Sequence, residues 1–326
     1  MLEHGGNLRA AAQLYGRDDW VDLSTGINPH AYPVPALPAN AWHRLPEPDP
    51  GLVAAACAYY GAPDLLPVAG TQAAIQALPR LRGPSRVTVS APSYAEHAHA
   101  WSKHGHTLRL ASYAGLDEAI EDSDVVVVVN PNNPTGETVA PEHLLAWARR
   151  LGARGGWLVV DEAFGDTSPS LSLAAHAAQP GLIVLRSVGK FFGLAGLRLG
   201  FVGAERPTLH ALADLLGPWA VSGPAQAIAQ QALRDTAWQQ DTQAALGAAG
   251  RRMRALLQSH GIAAAGTPLF HWWPEVRPEA FHTHMARRGV WCRLFAEAAR
   301  GIRIGLPPDE AGWQRLERAL QEWSNR

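Results

Sequence analysis

Five consecutive valines, Val125 to Val129, are the tightest constraint on how this chain folds. A run that is apolar on both faces fits a strand covered by helices on both sides of its sheet, and does not fit one with a face in water. Similar runs at Arg86 to Ala91, Thr107 to Ala111, Trp157 to Asp161, Leu182 to Ser187 and Leu199 to Val202 alternate with helical segments. The series predicts an α/β domain built on a mostly parallel sheet, with its ligand at the strand C-termini. Asn130, Asp161 and Ser187 lie at or just beyond such ends.

On either side the pattern changes. Residues 1–40 read as an arm, with a short helix over Leu8 to Tyr15 and then a proline-rich segment, Leu23 to Pro38, that excludes a long helix or a central strand. Residues 41–220 read as the large domain, entered through a helix over Leu52 to Tyr60 that Gly61 and Pro63 end. Residues 221–326 read as a smaller α+β domain. Its expected elements are a helical stretch from Pro224 to His260, strands at Leu269 to Val276, Val290 to Phe295 and Ile302 to Leu306, and a closing helix. Trp313, Leu316, Leu320 and Trp323 fall at helical spacing on that last helix.

With 47% hydrophobic and 17% charged residues, the chain is expected to form a soluble globule. A net charge of −1 offers no general field for nucleic acid or an anionic membrane, so a bound anion must be held by local groups. Cys57 and Cys292 are the only cysteines, which excludes a disulfide framework and points to a reducing compartment. The opening residues lack the basic and apolar regions of a secretory leader, and no apolar run approaches the ~18 residues of a membrane span. The cytoplasm is the expected location.

The stretch Ser187 to Gly200 carries the chemistry. It places a hydroxyl three residues before Lys190 and Arg198 eight residues after it, with glycines between. A lysine amine condenses with an aldehyde, and a hydroxyl with a guanidinium holds a phosphate, so the stretch suits pyridoxal 5′-phosphate. It is not a P-loop, because Val184 stands where that loop needs its first glycine. Upstream, Gly70-Thr71-Gln72 opens a helix whose free N–H groups suit an anion. Tyr94 follows a strand, where an aromatic can lie against a flat ring or simply pack. Asn130 to Gly136 form a proline-bracketed turn after the valine strand, with Asn132 and Asn133 inside it. Asp161 ends an apolar strand, where a buried carboxylate requires a hydrogen-bonding or cationic partner.

In order and spacing these motifs resemble the fold-type I pyridoxal-phosphate enzymes of the aspartate aminotransferase superfamily, over nearly the whole chain. The resemblance implies a mostly parallel seven-stranded sheet with a smaller α+β domain. Within that superfamily the chain is similar to the histidinol-phosphate aminotransferase branch. The opening His4-Gly5-Gly6-Asn7 narrows the likeness to the threonine-phosphate decarboxylase family of cobalamin biosynthesis. The implied reaction is the decarboxylation of L-threonine O-3-phosphate to (R)-1-amino-2-propanol O-2-phosphate, in a homodimer.

Carried over residue by residue, the resemblance gives Lys190 the covalent link to the cofactor and the proton transfers at the substrate carbon. Asp161 pairs with the pyridine N–H, Asn133 with the ring oxygen O3′, and Tyr94 stacks on the ring. Gly70, Thr71, Gln72, Ser187 and Arg198 hold the cofactor phosphate. Arg303 takes the substrate carboxylate, with Arg293 on the preceding strand facing the same cleft. His4, the Gly5-Gly6 backbone and Asn28 are expected to take the substrate phosphate. Two positions depart from the branch. Phe164 replaces a tyrosine that bonds O3′, which implies a changed pKa for the lysine–cofactor link. Leu45 replaces a tyrosine that reaches the neighbouring subunit's cofactor phosphate.

Two alternatives stand beside this reading. One is a histidinol-phosphate or related aminotransferase; the other is a non-catalytic regulator, for which the chain lacks a basic DNA-reading module. His97, His99, His104 and His106 are not expected to bind a metal, because i,i+2 pairs diverge on a helix and no further ligand set accompanies them. The same holds for His282 and His284.

Overall fold

The computed structural model describes residues 4–324; residues 1–3 of the expected arm lie outside them. Numbered in chain order, seven strands build one sheet: β2 (Leu66–Val68), β3 (Arg86–Ser90), β4 (Thr107–Ala111), β5 (Val125–Val129), β6 (Trp157–Asp161), β7 (Leu182–Ser187) and β8 (Gly200–Gly203). Their spatial order is β2-β8-β7-β6-β5-β3-β4, and only β8 runs antiparallel to its neighbours. The mostly parallel seven-stranded sheet is therefore present as expected.

The valine strand shows why the sheet is covered twice. Val125 and Val127 join a core on one face with Trp101, Ile183 and Leu185, while Val126 and Val128 join a core on the other with Leu116, Ile120 and Leu144. Full burial of a valine contributes roughly 1.5–3 kcal/mol, so this strand holds both layers together.

A four-stranded antiparallel sheet, β12-β13-β10-β9, comprises β9 (Ala265–Thr267), β10 (Phe270–Trp273), β12 (Arg293–Phe295) and β13 (Gly301–Gly305). A two-stranded parallel sheet joins β1 (Val21–Asp22) of the arm to β11 (Val290–Trp291). The expected strand Val290 to Phe295 is thus split, with buried Cys292 at the change of partner. Its first half pairs with the arm and its second with β13. The helical stretch from Pro224 is also divided, into Gly223–Arg234 and Thr236–Ser259, because Asp235 caps the second helix by accepting from Trp238 N at 3.0 Å. Helix Gly223–Arg234 packs on helix Pro50–Tyr60, across the expected boundary at residue 220.

The arm is tied down along its length. Leu23 N donates to Trp291 O, and Gly305 N donates to Leu23 O. At the seam between the two larger sheets the turn after β5 meets β9: a Cβ on Gly136, at φ 76°, would stand 2.5 Å from Gly266 Cα. Only glycine permits that approach.

Candidate active site

The C-terminal ends of β5, β6 and β7 bring Asn133, Asp161 and Lys190 together. Ser187 Oγ accepts from Gly189 N at 3.1 Å and tightens the turn that presents Lys190. From the other side Asn28 N donates to Lys190 O at 3.0 Å, and Asn28 Nδ2 donates to Phe191 O at 2.8 Å. Asn28 Oδ1 accepts from His30 N. Both ends of this buried amide bond main chain, so Asn28 seats the arm against the lysine turn and keeps one Nδ2 hydrogen for the expected substrate phosphate.

The Lys190 amine lies 5.4 Å from the centroid of the Phe164 ring. Burial, with added repulsion from Arg303 and Arg198, brings its pKa down to about 8, and Asp161 opposes the shift. A lysine so placed is largely a neutral nucleophile above about pH 8, where an ordinary lysine is still protonated.

Neighbouring carboxylates on β6 and just past it have opposite fates, as alternation along a strand requires. Glu162 is buried against Arg186, whose Nη1 donates to it at 2.6 Å. Asp161 has no lysine or arginine partner among the described residues. Its Oδ2 meets His97 Nε2 at 2.8 Å and its Oδ1 accepts from Ala163 N at 3.0 Å. His97 is itself 1% exposed. Sequence reasoning passed over this histidine. The signal lay in its spacing of three from Tyr94, which places both at the start of helix Ala95–Lys103, facing the strand ends.

The asparagines after β5 also separate. Asn130 is closed on Val139 through both its amide atoms, and Asn132 Nδ2 donates to Pro92 O and Thr135 Oγ1. Asn133 alone turns into the site, where its Oδ1 accepts from Arg303 Nη1 at 2.5 Å.

A cradle sits beside Lys190. Gly70, at φ 73°, precedes helix Thr71–Ala77, and a Cβ there would stand 2.5 Å from Arg198 Nη2. A Cβ on Gly200, the β8 partner of Ser187, would lie 2.9 Å from Thr71 N. Glycine at both positions lets the Arg198 guanidinium, the Ser187 hydroxyl and the Thr71 and Gln72 N–H groups surround one anion. The Gln72 side chain does not share in this, because its Nε2 donates to Glu96 Oε2 at 2.7 Å. The cradle, the lysine without a fixed partner and the carboxylate without a fixed cation fit the phosphate, aldehyde and ring nitrogen of pyridoxal 5′-phosphate.

Arg303 rises from β13 into the same space. It is 5% exposed, no carboxylate pairs with it among the described residues, and its Nε has no hydrogen-bond partner there. Burial lowers its pKa to about 9, with Arg293 pushing the same way and Asp22 opposing. Arg293 is its direct cross-strand neighbour on β12. A buried guanidinium of this kind requires an anion.

The arm closes the site. His4 Nε2 meets Glu96 Oε1 at 2.8 Å, and the His4 and Tyr94 ring centroids are 6.1 Å apart. A Cβ on Gly5 would stand 2.3 Å from Ser24 O, and Gly6 N donates to Ser24 Oγ at 2.7 Å. The Gly6 N–H is therefore spent within the arm and is not available to the expected Gly5-Gly6 anion nest.

The aminotransferase class I and II family model matches residues 18–314. A threonine-phosphate decarboxylase of Pseudomonas aeruginosa is 55% identical over 323 residues, covering 98% of this chain and 97% of that protein. One from a Sinorhizobium species is 46% identical over 331 residues, again covering 98% and 97%. The crystal structure of histidinol-phosphate aminotransferase from Sinorhizobium meliloti in complex with pyridoxal-5′-phosphate shares the fold, with a TM-score of 0.84 at 22% identity over 99% of this chain and 95% of that one. Fold, site and sequence agree: the chain belongs to the aminotransferase class I and II family and, within it, to the pyridoxal-phosphate-dependent threonine-phosphate decarboxylases.

Proposed function

We propose that this protein decarboxylates L-threonine O-3-phosphate to (R)-1-amino-2-propanol O-2-phosphate, the reaction of its family in cobalamin biosynthesis. The observation that carries the reading is Arg303, a buried guanidinium without a carboxylate partner, set beside Asn133 and Lys190. A guanidinium has five N–H donors. The bonds to Asn133 and Ser24 use one on each terminal nitrogen, which leaves the Nε–H and two others for a substrate carboxylate.

Bound in the cradle, pyridoxal 5′-phosphate supplies an aldehyde carbon and an electron-accepting ring for the bond broken at the substrate α-carbon. Ser187, Arg198 and the N–H groups of Thr71 and Gln72 would hold its phosphate. Asp161, bonded to His97, would pair with the ring N–H. Asn133 would reach the ring oxygen through its amide nitrogen while its Oδ1 stays on Arg303, with Tyr94 against the ring. Lys190 would hold the aldehyde through its amine and, as a neutral amine, would carry the proton at the substrate α-carbon.

Which bond breaks would depend on how the two anionic ends of the substrate are held: Arg303 would take the carboxylate and His4 of the arm the side-chain phosphate. Arg293 stands close enough to Arg303 to share the anion binding.

Purified holoenzyme given phosphothreonine is expected to release CO2 without forming a keto acid. Efficient conversion of histidinol phosphate and 2-oxoglutarate, with no CO2 from phosphothreonine, would establish the aminotransferase alternative instead.

We further divide the chain into the arm (1–40), a large domain (41–220) and a small domain (221–326), working as a homodimer in the cytoplasm. Support for the homodimer comes from exposed Trp42 (66%), Leu45 (64%) and Trp219 (58%), apolar side chains that a second copy would cover. Light scattering on the purified protein tests it. No helix among the described residues is long and apolar enough to cross a membrane.

A further inference from the structure

The mechanism above leaves one carboxylate at the site without a task. Glu96 lies in the first turn of helix Ala95–Lys103, with its side chain 12% exposed. Its two oxygens face different parts of the molecule. Oε1 meets His4 Nε2 at 2.8 Å, 92 residues away in sequence, and Oε2 accepts from Gln72 Nε2 at 2.7 Å and Gln76 Nε2 at 3.3 Å. Gln72 Oε1 in turn accepts from Tyr94 OH at 3.3 Å. The carboxylate is therefore held on the side of the cofactor cradle and presents its remaining oxygen to the arm.

A second contact near the start of the arm is to Ser24. Gly5 and Gly6 close on Ser24, and Ser24 O accepts from Arg303 Nη2. His4 is thus reached from the carboxylate-binding arginine through Ser24 on one side and from the cofactor cradle through Glu96 on the other. A carboxylate only accepts hydrogen bonds, so Nε2 of His4 carries the hydrogen toward Glu96, and the ring is set with its Nδ1 edge directed elsewhere. Glu96 is the one hydrogen-bond partner of that half-exposed ring among the described residues, the Tyr94 ring 6.1 Å away being its other neighbour.

From this we infer that Glu96 is a positioning residue: it latches the N-terminal arm over the site through His4 and so sets the preference for a substrate with a phosphorylated side chain. The inference rests on the proposed decarboxylation of phosphothreonine. Glu96 itself would repel a phosphate, so its contribution runs through the imidazole and not through contact with substrate. The Gln72 and Gln76 bonds keep it aimed at the arm.

The test is a double-mutant cycle on the holoenzyme, with phosphothreonine and unphosphorylated threonine as paired substrates. Glu96→Ala is expected to raise KM for phosphothreonine about tenfold with a much smaller change in kcat, the loss typical of one charge-assisted contact. The phosphothreonine-to-threonine ratio of kcat/KM is expected to fall by a similar factor. Because Glu96 acts through His4, adding Glu96→Ala to His4→Ala is expected to change that ratio no further. Glu96→Asp, which keeps the carboxylate, is expected to recover part of the preference. Cofactor affinity, measured by titrating apo-protein with pyridoxal phosphate, reports whether the cradle survives each change.

Additive effects of the two substitutions would overturn the inference, as would equal losses for both substrates or a fall in cofactor affinity that accounts for the whole effect. Failure of the unaltered protein to release CO2 from phosphothreonine is a separate result, which removes the proposed function itself.

Discussion

Arg303 Nη1 donates to Asn133 Oδ1 at 2.5 Å, while Nη2 of the same guanidinium donates to Ser24 O at 2.5 Å. One side chain from β13 therefore joins the turn after β5 to the arm, with no carboxylate paired to it among the described residues. In the proposed function the substrate carboxylate supplies that negative charge.

Arg303→Ala is accordingly expected to raise KM for phosphothreonine at least tenfold, since a charge-assisted bond to a bound anion is worth ~1.5–3 kcal/mol. Arg303→Lys should recover little, because an ammonium cannot serve two fixed acceptors and a carboxylate in one fork. Steady-state kinetics of CO2 release check both, and an unchanged KM in the alanine variant would falsify the assignment.

Arg293 faces Arg303 across the β12–β13 ladder. If it shares the substrate's anionic groups, Arg293→Ala binds phosphothreonine at least tenfold more weakly. Equal affinity in calorimetric titration of the variant and the unaltered protein would exclude Arg293 from the anion binding.

Lys190 is lowered to about 8 by burial first and by Arg303 next. Only the neutral amine attacks an aldehyde, so covalent capture of pyridoxal phosphate by apo-protein is expected to speed up as pH rises and to level off above about 8. An inflection near the ordinary lysine value of 10.5 would contradict the burial seen here. Lys190→Ala should give no adduct that borohydride can fix.

The resemblance to the histidinol-phosphate aminotransferase branch implies a tyrosine where this chain has Phe164, whose ring lies 4.8 Å, edge to face, from that of Phe270. Phe164→Tyr places a donor near the ring oxygen, and a hydrogen bond to an anionic oxygen favours the charged form. The lysine–cofactor absorbance is then expected to titrate at lower pH than in the unaltered protein. No shift, or a shift upward, would mean that the hydroxyl does not reach that oxygen.

His271 on β10 is 1% exposed, and among the described residues neither ring nitrogen makes a well-formed hydrogen bond. Burial, with Arg254 acting in the same direction and the Gly250 backbone opposing, lowers its pKa from 6.5 to about 4. The unfolded chain therefore binds the proton more readily between those values. Stability from this group is present above pH 6.5 and is lost as pH falls toward 4, by about 3 kcal/mol at most. Denaturant unfolding of His271→Leu between pH 4 and 7 is expected to show less of this decline; an identical pH profile would exclude His271 as its source.

Much of this was legible in the sequence because short-range rules govern it. A run of valines can only be a doubly covered strand, and the positions of Asp161, Lys190 and Asn133 follow from where such strands end. The split of Val290 to Phe295 was not legible, since both halves are equally β-prone and only the arrival of β1 from the arm separates them. Nor was the sorting of the asparagines, which depends on whether Val139, Pro92 or Arg303 lies within reach. Gln72 has a side chain suited to an anion or a cofactor, yet Glu96 bonds it, and one hydrogen of the Asn28 amide goes to Phe191. Sequence determined which chemical groups are present and on which strand ends they fall. Tertiary structure decided which of them remain free, because a hydrogen bond depends on distances of a few ångströms between segments tens to hundreds of residues apart.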